Sequence, residues 1–257
     1  MPHIELGADR LEYQLISGAQ TADEATLVFL HEGLGCVALW KDFPSQVAKA
    51  TGCNALVYSR YGYGSSTPLR SPREPTFMHD EALIALPRLL DALGIEHPIL
   101  FGHSDGASIA LIHAGWGGRP VRGAVLMAPH VVIEDVCLAS IAALKHTYET
   151  TDLRKKLARY HLDPEGAFSG WCNIWLDPGF RTWDIQPFVR ELACPVLAIQ
   201  GFEDEYGTME QVERIRGLSR SVDLLKLDSC GHSPHRDRPD AVLATAGSFI
   251  KRLVGIA

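Results

Sequence analysis

A chain of 257 residues with a net charge of −7 and no basic run or stripe does not present a nucleic-acid surface. Its 46% hydrophobic and 21% charged residues are the balance of a soluble globular protein, long enough to bury one sizeable core. No stretch approaches the roughly 18 consecutive apolar residues of a membrane span, and Met1–Glu5 lacks the start of a secretory signal. Six scattered cysteines without a Cys-x-x-Cys pair predict reduced thiols in a cytoplasmic protein.

Along the chain, Arg10–Ser17 alternates in the manner of a half-buried antiparallel strand. Thr26–Leu30 is a continuous apolar run, as expected of a strand covered on both faces. The spacing of Leu39, Trp40, Phe43 and Val47 predicts a helix over 36–51 that ends near Gly52. Asn54–Tyr58 predicts the next strand; a glycine-rich turn at Gly62–Ser66 then leads to a helix over 76–93 closed by Gly94. Ile99–Phe101 is a short buried-strand signal, punctuated by Gly102-His103-Ser104-Asp105-Gly106 and followed by a helix-compatible stretch over 107–114. Further strands are predicted at Val121–Met127, Pro195–Gln200 and Val222–Leu227, with helices over 208–219 and 237–254.

Strands alternating with helices predict an α/β fold, a mostly parallel central sheet with helices on both faces. Residues 1–130 and 191–257 supply that core. Residues 131–190 hold helical patterns and Trp171, Trp175 and Trp183 but no convincing parallel strand. They read as a small helical lid inserted over the carboxyl ends of the strands, where open α/β sheets bind ligands. Packing inside such a subdomain accounts for at least two of the tryptophans. Leu34, Trp171 and Trp175 are the candidate substrate-binding residues.

Strand, Gly-x-Ser-x-Gly, helix is the context of a nucleophile elbow, in which a sharp turn holds a serine hydroxyl clear of the backbone at a helix N-terminus. The pentapeptide alone also occurs in ordinary strand–helix turns, so an acid and then a histidine are required further along. Gly201-Phe202-Glu203-Asp204-Glu205-Tyr206 follows the strand ending at Gln200, and Gly231-His232-Ser233-Pro234-His235 follows the one ending at Leu227. Both segments therefore lie just past a strand's carboxyl end, in the required order.

With those segments in place, the chain resembles an α/β-hydrolase with a short helical lid. The resemblance runs from the first strands to the last helix and leaves only the lid without a counterpart. His31-Glu32-Gly33-Leu34-Gly35 resembles the family's oxyanion loop, Gly62-Tyr63-Gly64-Ser65-Ser66 its Gly-x-Gly-x-Ser turn, Gly201–Asp204 its acid loop and Gly231-His232 its Gly-His. Ser104 is then the nucleophile, His232 its base and Asp204 the acid that orients the imidazole. The N–H groups of Gly33 and Asp105 are the expected oxyanion donors. No cofactor is implied, and the histidines show no metal-ligand spacing. These features imply hydrolysis of a carboxylic ester, thioester or lactone, a small-molecule acyl substrate, through an acyl-enzyme. The rivals are a carbon–carbon bond hydrolase acting on a ketone, cofactor-free oxygen chemistry, and a ligand-binding protein on the same fold. A complete triad speaks against the last. Monomer and homo-oligomer both remain open.

Other residues compete for these roles. Glu203 and Glu205 flank Asp204, while Glu134 and Asp135 offer a second acid position after the preceding strand. His235 lacks the preceding glycine of His232; His31 and His103 are expected to hold loops, and His130, which opens the insertion and is placed to line the pocket, is expected rather to lie on the surface. Glu32 stands where the family usually has glycine, so it should point away from the site or be paired. The side chain of Asp105 is expected to cap the helix it begins. Ser59 and Tyr61 replace the family's usual Asp and Arg, and a serine at position 104 argues against a dehalogenase or epoxide hydrolase.

Overall fold

The unbroken apolar runs become the inner strands of a single sheet, because an inner strand must bury side chains against a helical layer on each face. A computed structural model describes residues 1–18 and 25–255. Its strands are β1 (His3–Leu6), β2 (Asp9–Ile16), β3 (Thr26–Leu30), β4 (Asn54–Tyr58), β5 (Ile99–His103), β6 (Gly123–Met127), β7 (Val196–Gly201) and β8 (Val222–Leu227). They lie in the order β1-β2-β4-β3-β5-β6-β7-β8. β1 and β2 run antiparallel to their neighbours, and every pairing from β4 to β8 is parallel. β1 has no counterpart among the sequence-predicted elements; its four residues are too few to show an alternation.

Successive residues of the inner strands feed two separate cores. Val28, Leu56, Leu100 and Leu126 face one apolar cluster, whereas Phe29, Val57, Phe101 and Val125 face the other. On the second face lie α1 (Phe43–Thr51) and the C-terminal helix Pro239–Leu253. The predicted helix over 36–51 is in fact divided into a 3₁₀ turn at Val37–Trp40 and α1, which ends where Gly52 takes a left-handed φ of 75°.

The predicted helix over 76–93 forms, as α2 over 77–92, but its ladder slips in the middle. Pro87 lacks the N–H an α-helix needs there, and Glu81–Ala85 winds as a π turn in which the Leu86 N–H reaches the Glu81 carbonyl. The Ala82 carbonyl accepts instead from His113 Nδ1 at 2.7 Å.

α3 (Asp105–Trp116) is buried on nearly all sides. It can pack so closely only because of two glycines. A Cβ on Gly102 would lie 2.5 Å from the Ala107 Cα, and one on Gly106 would lie 2.1 Å from the Leu30 carbonyl oxygen. Both obstructing groups are backbone, so neither can rotate away.

Between β6 and β7 the chain forms a helical insertion. It comprises α4 (Asp135–Thr150), α5 (Leu153–Leu157), α6 (Pro164–Trp175), a 3₁₀ turn at Pro178–Thr182 and α7 (Gln186–Arg190). An antiparallel bridge between Val132 and Asp184 closes its neck. Cys137, Ile141, Phe168, Trp175 and Phe180 join the same apolar cluster as Leu111 and Ile112 of α3. The insertion is thus continuous with the core below it. α8 (Glu210–Leu218) follows β7, and α9 (Pro239–Leu253) ends the described fold. No helix among the described residues is long and apolar enough to cross a membrane. All six cysteines are free and buried.

The close approach of α3 makes a direct prediction. Gly106→Ala should cost about 2 kcal/mol or more, since its methyl group meets fixed backbone. Urea unfolding measures this, and a variant as stable as the parent would contradict the packing described.

Candidate active site

Ser104 occupies the turn between β5 and α3 with φ 53° and ψ −120°, a conformation that L residues rarely adopt. Two observations explain how it is held. Its N–H donates to the Met127 carbonyl of β6 at 2.9 Å, and its carbonyl accepts from Ala107 and Ser108 in the first turn of α3. The hydroxyl projects toward the loops that follow β7 and β8.

Those loops bring Asp204 and His232 to it. Ser104 Oγ lies 2.8 Å from His232 Nε2, and His232 Nδ1 lies 2.9 Å and 3.0 Å from the two carboxylate oxygens of Asp204. With Nδ1–H donating to the carboxylate, Nε2 is left to accept the serine proton. Asp204 also accepts from the N–H groups of Tyr206 and Gly207 and from Gln200 Nε2 at 2.7 Å. Burial works to raise the Asp204 pKa, but the hydrogen bond and charge of His232, with the Tyr206 N–H, outweigh it and hold the carboxyl below its usual value. Gln200, fully buried at the end of β7, escaped the sequence reading; a lone amide in an apolar strand is its signal.

The competing acids are engaged elsewhere. Glu134 accepts from the N–H and hydroxyl of Thr208 and from Gln211 Nε2, and Asp135 is paired with Arg181 at the surface. Glu203 is exposed, and Glu205 accepts from the His232 backbone N–H at 3.2 Å. His235 is buried against Trp40 and Phe43, and burial pushes its pKa down to about 2. His103 Nε2 donates to the His232 carbonyl at 2.7 Å, which fixes the loop that carries that imidazole.

The loop after β3 meets the same site. Gly33 and Asp105 line one pocket with Ser104, and among the described residues neither backbone N–H donates to a protein acceptor. Glu32, at the rim, is paired as its position demands, with His103 Nδ1 at 3.5 Å and Arg236 at 3.6 Å. Burial opposes its ionisation, yet the His103 contact prevails and leaves its carboxyl well below the usual range. Asp105 does not cap α3 with its side chain. Its carboxylate instead accepts from Trp175 Nε1 at 3.2 Å and faces Arg60 at 3.6 Å. A partner supplied by α6 and a buried cation outcompete the local cap.

The pocket has a volume of about 120 Å³. Its apolar wall is Leu34 with Cys137, Ile141 and Leu144 of α4 and Trp171 and Trp175 of α6. The indole of Trp171 covers Gly33 so closely that a Cβ there would fall 2.0 Å from Nε1. Trp183 packs against Phe180 and Trp175 and does not line the pocket. His130 is not at the surface. It is 2% exposed, lines the pocket with its ring 5.0 Å from Trp175, and burial pushes its pKa down to about 3. A larger groove of about 330 Å³ between Leu69–Arg73 and α6 lies away from Ser104.

A clamp joins insertion and core beside the pocket. His161 Nδ1 accepts from the Gly64 N–H at 3.0 Å while Nε2 donates to the Leu34 carbonyl at 3.1 Å, and the Leu162 N–H donates to the Gly64 carbonyl at 2.7 Å.

A family model described as the alpha/beta hydrolase family matches residues 27–245. The chain is 22% identical over 268 residues to the sn-1-specific diacylglycerol lipase ABHD11 of Danio rerio, covering 94% of this chain and 82% of that protein. It is 23% identical over 197 residues to esterase YbfF of Escherichia coli (strain K12), covering 70% and 78% respectively. Among solved structures, a carboxylesterase of the thaumarchaeon Nitrososphaera gargenis superposes with a TM-score of 0.79 at 16% identity over 99% of each chain.

The two depressed carboxyls set the acid limb of stability. Each contributes fully above its unfolded pKa and loses that contribution as pH falls through the folded one. Asp204→Asn and Glu32→Gln should therefore destabilise the protein at pH 7, and the gap to the parent should narrow steadily as pH falls below about 4, the range of an unfolded carboxyl. Urea unfolding across that range checks this; a stability loss that is the same at every pH would contradict it.

Proposed function

The chain belongs to the alpha/beta hydrolase family, and from that premise we propose that it is a serine hydrolase cleaving carboxylic esters through a Ser104–His232–Asp204 triad. One observation carries the reading: an unbroken relay from Ser104 Oγ through His232 to Asp204, beside two backbone N–H groups that have no protein acceptor among the described residues. The helical insertion over 131–190 acts as the lid that walls the pocket.

In this mechanism His232 Nε2 takes the Ser104 proton as Oγ attacks the ester carbonyl. Asp204 stabilises the imidazolium that forms and holds its tautomer. The carbonyl oxygen, now negative, receives the Gly33 and Asp105 N–H groups; losing one such donor typically costs about 3 kcal/mol. His232 returns the proton to the departing alcohol, leaving an acyl-enzyme. Water then repeats the sequence with His232 as base, releasing the acid and restoring Ser104.

Pocket size narrows the substrate. At about 120 Å³ the pocket is near the size of a dry cavity of about 150 Å³ that accommodates benzene, so it suits a small apolar group. A wall of Cys137, Ile141, Leu144 and two tryptophans favours a short hydrocarbon acyl chain over a long lipid tail.

Ser104→Ala should fold normally and lose turnover of p-nitrophenyl butyrate, and a fluorophosphonate should label the parent but not the variant. In the parent, kcat/KM should fall about tenfold or more between butyrate and decanoate esters. Equal labelling of the variant would overturn the nucleophile. Preference for a diketone over every ester would favour the carbon–carbon hydrolase, and rising activity with chain length would refute the pocket argument.

A further inference from the structure

Arg60 stands just beyond the end of β4 and is completely buried. Its Nη2 donates to the Glu32 carbonyl at 3.0 Å, lies 3.4 Å from the His31 carbonyl and faces the Asp105 carboxylate at 3.6 Å. The guanidinium also lies 4.8 Å above the Tyr63 ring, and among the described residues its Nε and Nη1 have no hydrogen-bond partner. Burying a cation with two donors unsatisfied is costly, and apolar residues of similar volume commonly replace such pairs without loss of stability. Packing alone therefore gives no account of an arginine here.

The Glu32 carbonyl accepts two further hydrogen bonds, from His31 Nδ1 at 2.7 Å and from the Gly35 N–H at 3.0 Å. That oxygen belongs to the peptide unit whose other end is the Gly33 N–H. A peptide is planar, so fixing its oxygen with three donors fixes the direction of its N–H. Donors at the oxygen also polarise the unit, which makes the N–H a stronger hydrogen-bond donor. The Asp105 carboxylate meanwhile belongs to the residue that carries the second free N–H. His31 is set for the same task, because its Nε2 accepts from the Arg60 backbone N–H at 3.0 Å.

We infer that Arg60 is a positioning residue for the oxyanion hole, one cation that ties the Glu32–Gly33 peptide to Asp105 and so sets the spacing of both N–H donors. This rests on the serine hydrolase reading for its catalytic meaning, while the tie itself is a property of the fold. The sequence signal was hidden by register: the family's usual arginine is two residues after its aspartate, where this chain has Tyr61.

Arg60→Lys keeps the charge, but its ammonium ends about where the guanidinium carbon lies, one bond short of the Nη2 that makes all of these contacts. It should lower kcat on p-nitrophenyl butyrate by about tenfold or more while KM stays within about threefold, since the donors act on the transition state. In a ¹H–¹⁵N spectrum the Gly33 amide should move and exchange faster, whereas amides of β7 and β8 stay in place. A residue that merely stabilised the fold would lower the melting temperature without this kcat-specific loss or the Gly33 shift. Asp105→Asn, which retains every backbone group and the Trp175 acceptor, is the second variant should lysine not support folding, with the same readouts expected. A folded variant with kcat within about threefold of the parent and an unmoved Gly33 amide overturns the inference. If the parent hydrolyses no ester and Ser104 resists fluorophosphonate, the hydrolase reading fails separately, and the Gly33 amide alone decides whether Arg60 holds that peptide.

Discussion

The contact between α3 and the backbone of β3 and β5, permitted only by Gly102 and Gly106, is what the rest of this molecule is arranged around. It forces the turn at Ser104 into a positive φ, a conformation that costs about 1–3 kcal/mol. α3 offsets that cost by burying Ile109, Leu111 and Ile112 completely, at roughly 25 cal/mol for each Å² of apolar surface removed from water. The strain is therefore local and the stabilisation is spread along the helix. Because β7 and β8 are parallel to β5, the loops bearing Asp204 and His232 emerge at the same sheet edge as Ser104. A steric constraint on two glycines thus selects the place where three distant segments meet.

Much of this was readable from the residues. The inner strands announce themselves as apolar runs, because burial on two faces excludes polar residues. The elbow, the acid loop and the Gly-His loop are each short and local, with glycines that mark where backbone approaches backbone. What escaped the sequence depended on contacts between segments far apart in the chain. Asp105 looks like a cap because nothing nearby reveals that Trp175, 70 residues on, will donate to it. His130 opens the insertion and reads either as a pocket residue or, more simply, as a surface one; the insertion folds over it and buries it in the pocket wall. Arg60, just past a strand, and Gln200, within one, are single polar residues whose use appears only when the loops they hold are in place. The π turn in α2 shows a different kind of limit. Pro87 announces a fault in the ladder, but not that His113 will satisfy the carbonyl it frees.

The site separates its charges from its apolar wall. On the side of the loop after β3 lie Arg60, Asp105 and Glu81, all buried, together with the Glu32, His103 and Arg236 group at the rim. On the other side α4 and α6 supply hydrocarbon and indole surface. Such a division lets the polar half orient backbone groups while the apolar half excludes water, which strengthens each hydrogen bond inside. The His161 clamp joins the halves, since one imidazole holds both the turn at Gly64 and the loop at Leu34.

The indole of Trp171 stands where a side chain on Gly33 would otherwise project. The roof above that loop is therefore borrowed from a segment more than a hundred residues away, and the two have become halves of one part. Transplanting a foreign helical insertion onto this core would leave a hole over Gly33, and restoring a side chain at position 33 would expel the native one. Insertion and loop are therefore matched at this point, and a change to either one calls for a compensating change in the other.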